Sequence, residues 1–213
     1  MKIVVSSFYY PNYKELAEHT VHGNLRRYCE KHGYIFHPHV VIDSFKGDGY
    51  QWLCEAGKKN AILVLKSLYD FRDCDYLFTV GADAIITNTN VKLEDLIKVY
   101  PQDIVVGTDW DGINTSQMLI KNVKRSRDYF FDIMKYIGTG GEHDQAYFKN
   151  NPKDYVFPTL QRVMNSYDCE ASNPKEARAI FDSIFQKSDT YQIVMETITE
   201  REDHHHIGGL EPE

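Results

Sequence analysis

The sequence has no unbroken apolar run near the roughly 18 residues that a membrane-spanning helix needs. It opens Met1-Lys2-Ile3-Val4-Val5-Ser6-Ser7, with no basic stretch leading into a long apolar one, so no signal peptide is expected. Only four cysteines occur (Cys29, Cys54, Cys74 and Cys169), widely spaced and without a CxxC pair. That spacing argues against a zinc cluster or a disulfide framework and for reduced core thiols, and a cytoplasmic protein is expected. Glycine-rich phosphate turns are also missing. The first apolar run leads into Ser-Ser-Phe-Tyr-Tyr-Pro-Asn-Tyr, which is neither a P-loop nor a dinucleotide fingerprint. This weakens ATPase and dehydrogenase readings. Nor is there a surplus of positive charge: 24 Lys and Arg face 31 Asp and Glu, a net charge of -7. Nucleic acid would have to dock on a local basic patch. No repeat, low-complexity linker or Pro/Gly-rich hinge divides the chain.

What remains is the make-up of one globular domain. A length of 213 residues suits one core rather than two, with 42% hydrophobic and 26% charged residues. The domain is expected over residues 1–203, with a polar tail at 204–213. The 15 Tyr, 11 Phe and 2 Trp can pack a core and can also stack on flat or sugar-like ligands.

Residues 2–8 form a continuous apolar run, as in a buried parallel strand. Leu16, Thr20, Leu25, Tyr28 and His32 then follow at helical spacing, and Gly33 stops the helix. Strands are expected at 34–41, 75–80, 103–107 and 116–121. Helices are expected at 52–72, 93–98, 123–137 and 142–150. The order β-α-β-α-β, then mixed elements, gives an α/β class with a mostly parallel central sheet flanked by helices. Ligands in such sheets bind beyond the carboxyl ends of the strands. That places Ser6–Tyr13, Gly81–Ala84 and the 107–115 loop at one edge.

Four constellations carry possible chemistry. Asp83 follows the apolar strand Tyr76–Val80 and suits a hard divalent ion, or else a turn cap. Gly112-Ile113-Asn114-Thr115-Ser116 offers the fixed polar groups a sugar needs, or a plain turn into a strand. Gly140-Gly141-Glu142-His143-Asp144-Gln145 holds two carboxylates for proton or charge work, or for capping a helix. His204-His205-His206-Ile207-Gly208-Gly209 could close a metal site, or be mere tail.

Together these segments resemble a known family. Tyr76-Leu77-Phe78-Thr79-Val80-Gly81-Ala82-Asp83-Ala84-Ile85-Ile86-Thr87-Asn88 resembles the strand and Asp-x-Asp segment of GT-A glycosyltransferases. Within them it is similar to the galactosyl/xylosyltransferase group of glycosyltransferase family 34. Gly112–Ser116 with Leu119–Asn122 resembles that group's glycine-x-Asn-Thr-Gly stretch, and Glu142-His143-Asp144-Gln145-Ala146 its Glu-Gln-Asp-Ala segment. Phe157-Pro158-x-x-Gln161-Arg162-Val163-Met164-Asn165-Ser166-Tyr167 resembles its Pro-Gln-x-x-x-Asn-Ser-Tyr segment. The four matches run in family order. Gly81 stands where the family has its first metal-motif Asp, and the terminal His-glycine motif has only His204 or His206 as a counterpart.

The resemblance implies a GT-A-like, Rossmann-related domain that moves a sugar from a nucleotide-sugar donor, a UDP-sugar, to a hydroxyl acceptor with retention. Ser6, Ser7, Phe8 and Tyr13 would hold the nucleotide, with Phe8 or Tyr9 against the base. Asp83, aided by His206, would hold Mn²⁺ or Mg²⁺. Asn114 and Thr115 would line the sugar cleft, and Asp144 and Gln145 would stand at the reacting carbon. Two rivals stay open. One is a non-catalytic nucleotide-sugar or carbohydrate-binding module. The other is a DNA-modifying glycosyltransferase acting on a hydroxylated base, with Lys121, Lys124, Arg125 and Arg127 as its basic patch.

Overall fold

The computed structural model describes residues 1–41, 49–109, 112–154 and 156–158. The strands are β1 (Ile3–Tyr9), β2 (Ile35–Val40), β3 (Tyr76–Val80), β4 (Ile104–Asp109), β5 (Gly112–Lys121) and β6 (Val156–Pro158). The helices are α1 (Lys14–His19), α2 (Arg26–His32), α3 (Gly49–Asp70), α4 (Leu93–Val99), α5 (Lys124–Gly138) and α6 (Asp144–Asn150). Between α1 and α2 the chain does not break. It widens into a π-helical stretch, Thr20–Leu25.

The strands join in one sheet, ordered β2-β1-β3-β5-β4-β6. β1 pairs parallel with β2 and β3, and β4 pairs parallel with β6. β5 lies antiparallel to both β3 and β4. The sheet is therefore mixed, with β5 running against the other five strands.

Strand alternation sorts the core into two layers. Val4, Leu77, Ile104, Val106, Met118 and Ile120 face Ala61, Val64 and Leu68 of α3, Tyr129, Phe130 and Ile133 of α5, and Phe148 of α6. Ile3, Val5, Phe78, Val80, Val105 and Leu119 face Leu25, Tyr28 and Cys29 on one side and Leu93 and Leu96 of α4 on the other. β1 and β3 are buried on both faces, which is why they read as continuous apolar runs. Gly33 takes φ +73° where α2 ends, the left-handed turn a side chain would strain. Among the described residues no helix is long and apolar enough to cross a membrane.

β5 departs from expectation at its start. Val106 pairs with Met118, yet Gly107 pairs with Asn114, so Thr115–Gln117 bulge away from β4. On its other side β5 stays paired with β3 as far as Gln117, opposite Val80. Gly112–Lys121 is thus one strand with a bulge, where the sequence predicts a turn followed by a strand at 116.

Candidate active site

β1 and β3 run side by side and end at the same edge of the sheet. β3 gives way to Gly81-Ala82-Asp83. The Gly81 amide donates to the Ser116 carbonyl at 2.7 Å, so the β5 bulge is fastened to the β3 exit. A turn follows, with the Ala84 amide on the Gly81 carbonyl at 3.1 Å. Asp83 is exposed here. A Cβ on Gly81 would stand 2.8 Å from Asp83 Oδ1 and 3.3 Å from Ser116 Cβ. The glycine leaves room for the Asp83 carboxylate to lie back over the backbone.

The bulge holds itself. Asn114 Oδ1 accepts from the Ser116 amide at 2.9 Å, and Thr115 is buried. One face of the Asn114 carboxamide is thereby used internally.

α6 begins at Asp144, which is 7% exposed. Its Oδ2 accepts from Asn60 Nδ2 of α3 at 2.8 Å, and its Oδ1 from the Gln145 amide at 3.0 Å. Gly57, one turn before Asn60, permits this approach: a Cβ there would lie 2.9 Å from both the Asp144 amide nitrogen and Oδ1. A carboxylate only accepts, so the Asn60 nitrogen must face it. This turns Asn60 Oδ1 the other way, where it is buried with no hydrogen-bond partner. Gln145 is half-buried beside the carboxylate, and Glu142 is exposed.

At the end of β1 the side chains sort differently from expectation. Ser6 is 2% exposed and Ser7 is 0% exposed, in register with His37 and Pro38 of β2. Both hydroxyls are buried within the strand, whereas the sequence reading has Ser6 and Ser7 holding the nucleotide. Tyr9 is also buried, and its hydroxyl lies 2.7 Å from His22 Nε2. Phe8 and Tyr13 are half-buried. Tyr10, which the sequence did not single out, lies under the Lys59 ammonium, 5.7 Å from the ring centre. Burial first, and then the Glu55 carboxylate, push its hydroxyl above the usual tyrosine range.

His206 and the Gln161–Tyr167 segment lie outside the described residues. The Lys121–Arg127 run is largely paired. Lys124 meets Asp128, Arg125 meets Asp103, and Arg127 donates to Asn122 at 2.6 Å. Lys124 and Arg125 lie on an exposed helix face, where such pairs hold their side chains only weakly.

Gly57, Asn60, Tyr10 and Lys59 were the residues sequence reasoning missed at this site. Gly57 left a signal, being a glycine in the middle of an amphipathic helix, where it costs about 1 kcal/mol against alanine unless packing requires it.

The fold class is shared with enzymes of sugar transfer. No protein-family model matches the sequence, and no curated protein matches it. Among solved structures the chain is similar to a glycosyltransferase involved in the glycosylation of the major capsid of PBCV-1. The TM-score is 0.63 at 10% identity, covering 84% of this chain and 92% of that one. A proposed nucleotide-diphospho-sugar transferase from Desulfovibrio desulfuricans G20 aligns over 93% of this chain and 96% of that one, at 14% identity and a TM-score of 0.41. At such identities the likeness to the capsid glycosyltransferase is one of fold.

Proposed function

We propose that this chain is a glycosyltransferase that moves a sugar from a nucleotide-sugar donor, a UDP-sugar, to a hydroxyl acceptor. One observation carries the reading. On the fold of a solved glycosyltransferase, the exposed Asp83 at the β3 exit is fastened beside the polar β5 bulge. The four ordered motifs that resemble the galactosyl/xylosyltransferase group support the same reading and favour retention.

In this reading the donor diphosphate lies over Gly81–Asp83, with Phe8, Tyr10 and Tyr13 toward the nucleoside. Lys59 supplies a cation at that end of the crevice. Among the described residues no group of three or more His, Cys, Asp or Glu could hold a metal ion. A single exposed carboxylate instead fits an ion that arrives with the diphosphate, most of its ligands being phosphate and water oxygens. Bound there, Mn²⁺ or Mg²⁺ would neutralise charge on the leaving diphosphate. The protein's own part is orientation and field. Asn114 and Thr115 shape the sugar side of the bulge. Gln145 turns a half-buried amide toward the donor sugar. Asp144, fixed by two donors, sets a negative field behind the reacting carbon, where oxocarbenium-like charge develops.

A second reading, a nucleotide-sugar-binding module without turnover, draws on Gly81 and on the burial of Asp144. A panel of nucleotide sugars, with glycan and hydroxymethylated-DNA acceptors, separates the readings by released nucleoside diphosphate. Release of UDP with transfer supports the enzyme. Tight donor binding with no release under any acceptor would replace it with the module.

A further inference from the structure

The helical run from α1 to α2 carries four side chains at four-residue intervals that grip the main chain after β3. Thr20 donates from Oγ1 to the Ala82 carbonyl. Asn24 makes a paired contact with one residue: its Nδ2 donates to the Ile86 carbonyl at 3.0 Å, and the Ile86 amide donates to its Oδ1 at 2.7 Å. Tyr28 donates to the Val91 carbonyl at 2.8 Å, and His32 Nε2 lies 2.7 Å from the Thr89 carbonyl. Residues 82–91 contain no helix or strand of their own, so these side chains supply partners their backbone would otherwise seek from water.

The first two grips fall on either side of Asp83. Gly81 is tied to Ser116 and Ala82 to Thr20, and Ile86 is tied at both polar atoms to Asn24. Only residues 83–85 lie between. Both gripping residues belong to the π-helical stretch Thr20–Leu25, a rare distortion often found at functional sites. Thr20 is fully buried, and its oxygen also lies 2.9 Å from Leu16 O within the helix, so its single hydroxyl proton is shared between the Leu16 and Ala82 carbonyls.

We infer that Thr20 and Asn24 are positioning residues that hold Asp83 in place for the donor diphosphate and its divalent ion. The inference rests on the proposed role of Asp83. Thr20 and Asn24 act on the main chain around Asp83. They fix the two ends of a short segment, so its carboxylate meets the diphosphate without a prior search of loop conformations. Residues behind a metal ligand typically govern 10–100-fold in metal affinity.

Two measurements test it. Calorimetric titration of UDP in Mn²⁺ and then in EDTA reads the contribution of Asp83. Hydrogen exchange of the peptide spanning residues 81–88 reads the grip itself. Thr20→Val, nearly isosteric without the hydroxyl, and Asn24→Ala should each speed exchange in that peptide. Each should lower UDP affinity in Mn²⁺ by about 10-fold or more, with affinity in EDTA within about twofold. Thr20→Ser should restore both readings. Faster exchange with an unchanged Mn²⁺ effect would overturn positioning and leave a purely structural splint. Unchanged exchange in both variants would overturn the grip. Equal UDP affinity in Mn²⁺ and EDTA for the unaltered protein would instead overturn the role of Asp83, and the inference with it.

Discussion

Asn60 of α3 donates through Nδ2 to Asp144 Oδ2 of α6 across 2.8 Å, joining residues 84 positions apart. The other carboxylate oxygen accepts from the Gln145 amide, so both oxygens have donors. Asp144→Asn places one NH₂ among those donors. Asn60 can turn its amide and accept that NH₂ with the oxygen that now lacks a partner. The fold should survive, with a melting temperature within about 3 °C. With the role proposed for Asp144, turnover should fall about 10²-fold or more with donor affinity nearly unchanged, because the substitution removes only its charge. Near wild-type turnover would move the role to Glu142.

Gly57→Ala tests the same junction by volume. The added methyl would stand 2.9 Å from the Asp144 backbone nitrogen. Backbone cannot rotate aside as a side-chain tip can, so α6 must shift off α3. A loss of about 1–3 kcal/mol in urea unfolding is expected, the cost of overpacking. Unchanged or raised stability would show that the close approach is not required.

Asp83→Ala should abolish any difference between UDP affinity in Mn²⁺ and in EDTA. Its carboxylate is exposed, so the melting temperature should hardly change. A large fall in melting temperature would identify Asp83 as a structural cap. Gly81→Ala should act in the same direction more weakly, since its methyl would crowd Asp83 Oδ1. Calorimetry on both variants compares the two effects.

His37 and His39 set an acid limit on stability. Their rings lie 4.1 Å apart on β2, and His39 Nε2 is 3.2 Å from Ser67 Oγ. Burial first, then the charges of His37 and Lys66, hold His39 down to about 4, and burial also lowers His37. Asp70 opposes both shifts without reversing them. Unfolded imidazoles take up protons near pH 6.5. The unfolded state therefore binds more protons as pH falls from about 6.5 toward 4, and stability present above that window is lost through it. His39→Gln should reduce the drop in melting temperature between about pH 7 and pH 4.5, at about 2–4 °C for each kcal/mol relieved. An identical drop would exclude His39 as the cause.

Much of the architecture was legible because β1, β3 and β5 are dense in apolar residues and α5 keeps a clean helical face. The π-helical stretch was half legible. The apolar positions Leu16, Thr20, Leu25, Tyr28 and His32 contain one five-residue step, and it falls on Thr20–Leu25, where the helix widens. The start of β5 was hidden because Asn114, Thr115 and Ser116 lack strand alternation, and the bulge is tied to Gly81, a residue distant in sequence. β6 was missed because three residues ending in proline give almost no period. At the site, Asp83 and Asp144 announced themselves by type and place. Asn60 did not, since its partner is distant in sequence. The burial of Ser6 and Ser7 was not legible, because small polar residues at a strand end look the same whether they face a ligand or sit against a neighbouring strand.

The reversed strand β5 also orders the events of synthesis. β2, β1 and β3 form a parallel unit complete by Val80, and its β3 edge has no partner until β5, ending at Lys121, has left the ribosome. An open apolar strand edge is the usual seed of aggregation, and chains emerge at about 5–20 residues per second. A nascent chain that had formed this unit would carry, for several seconds, an unpaired edge at what becomes the middle of the sheet. Docking of β5 closes that edge and, through Ser116 and Gly81, completes the crevice in the same step.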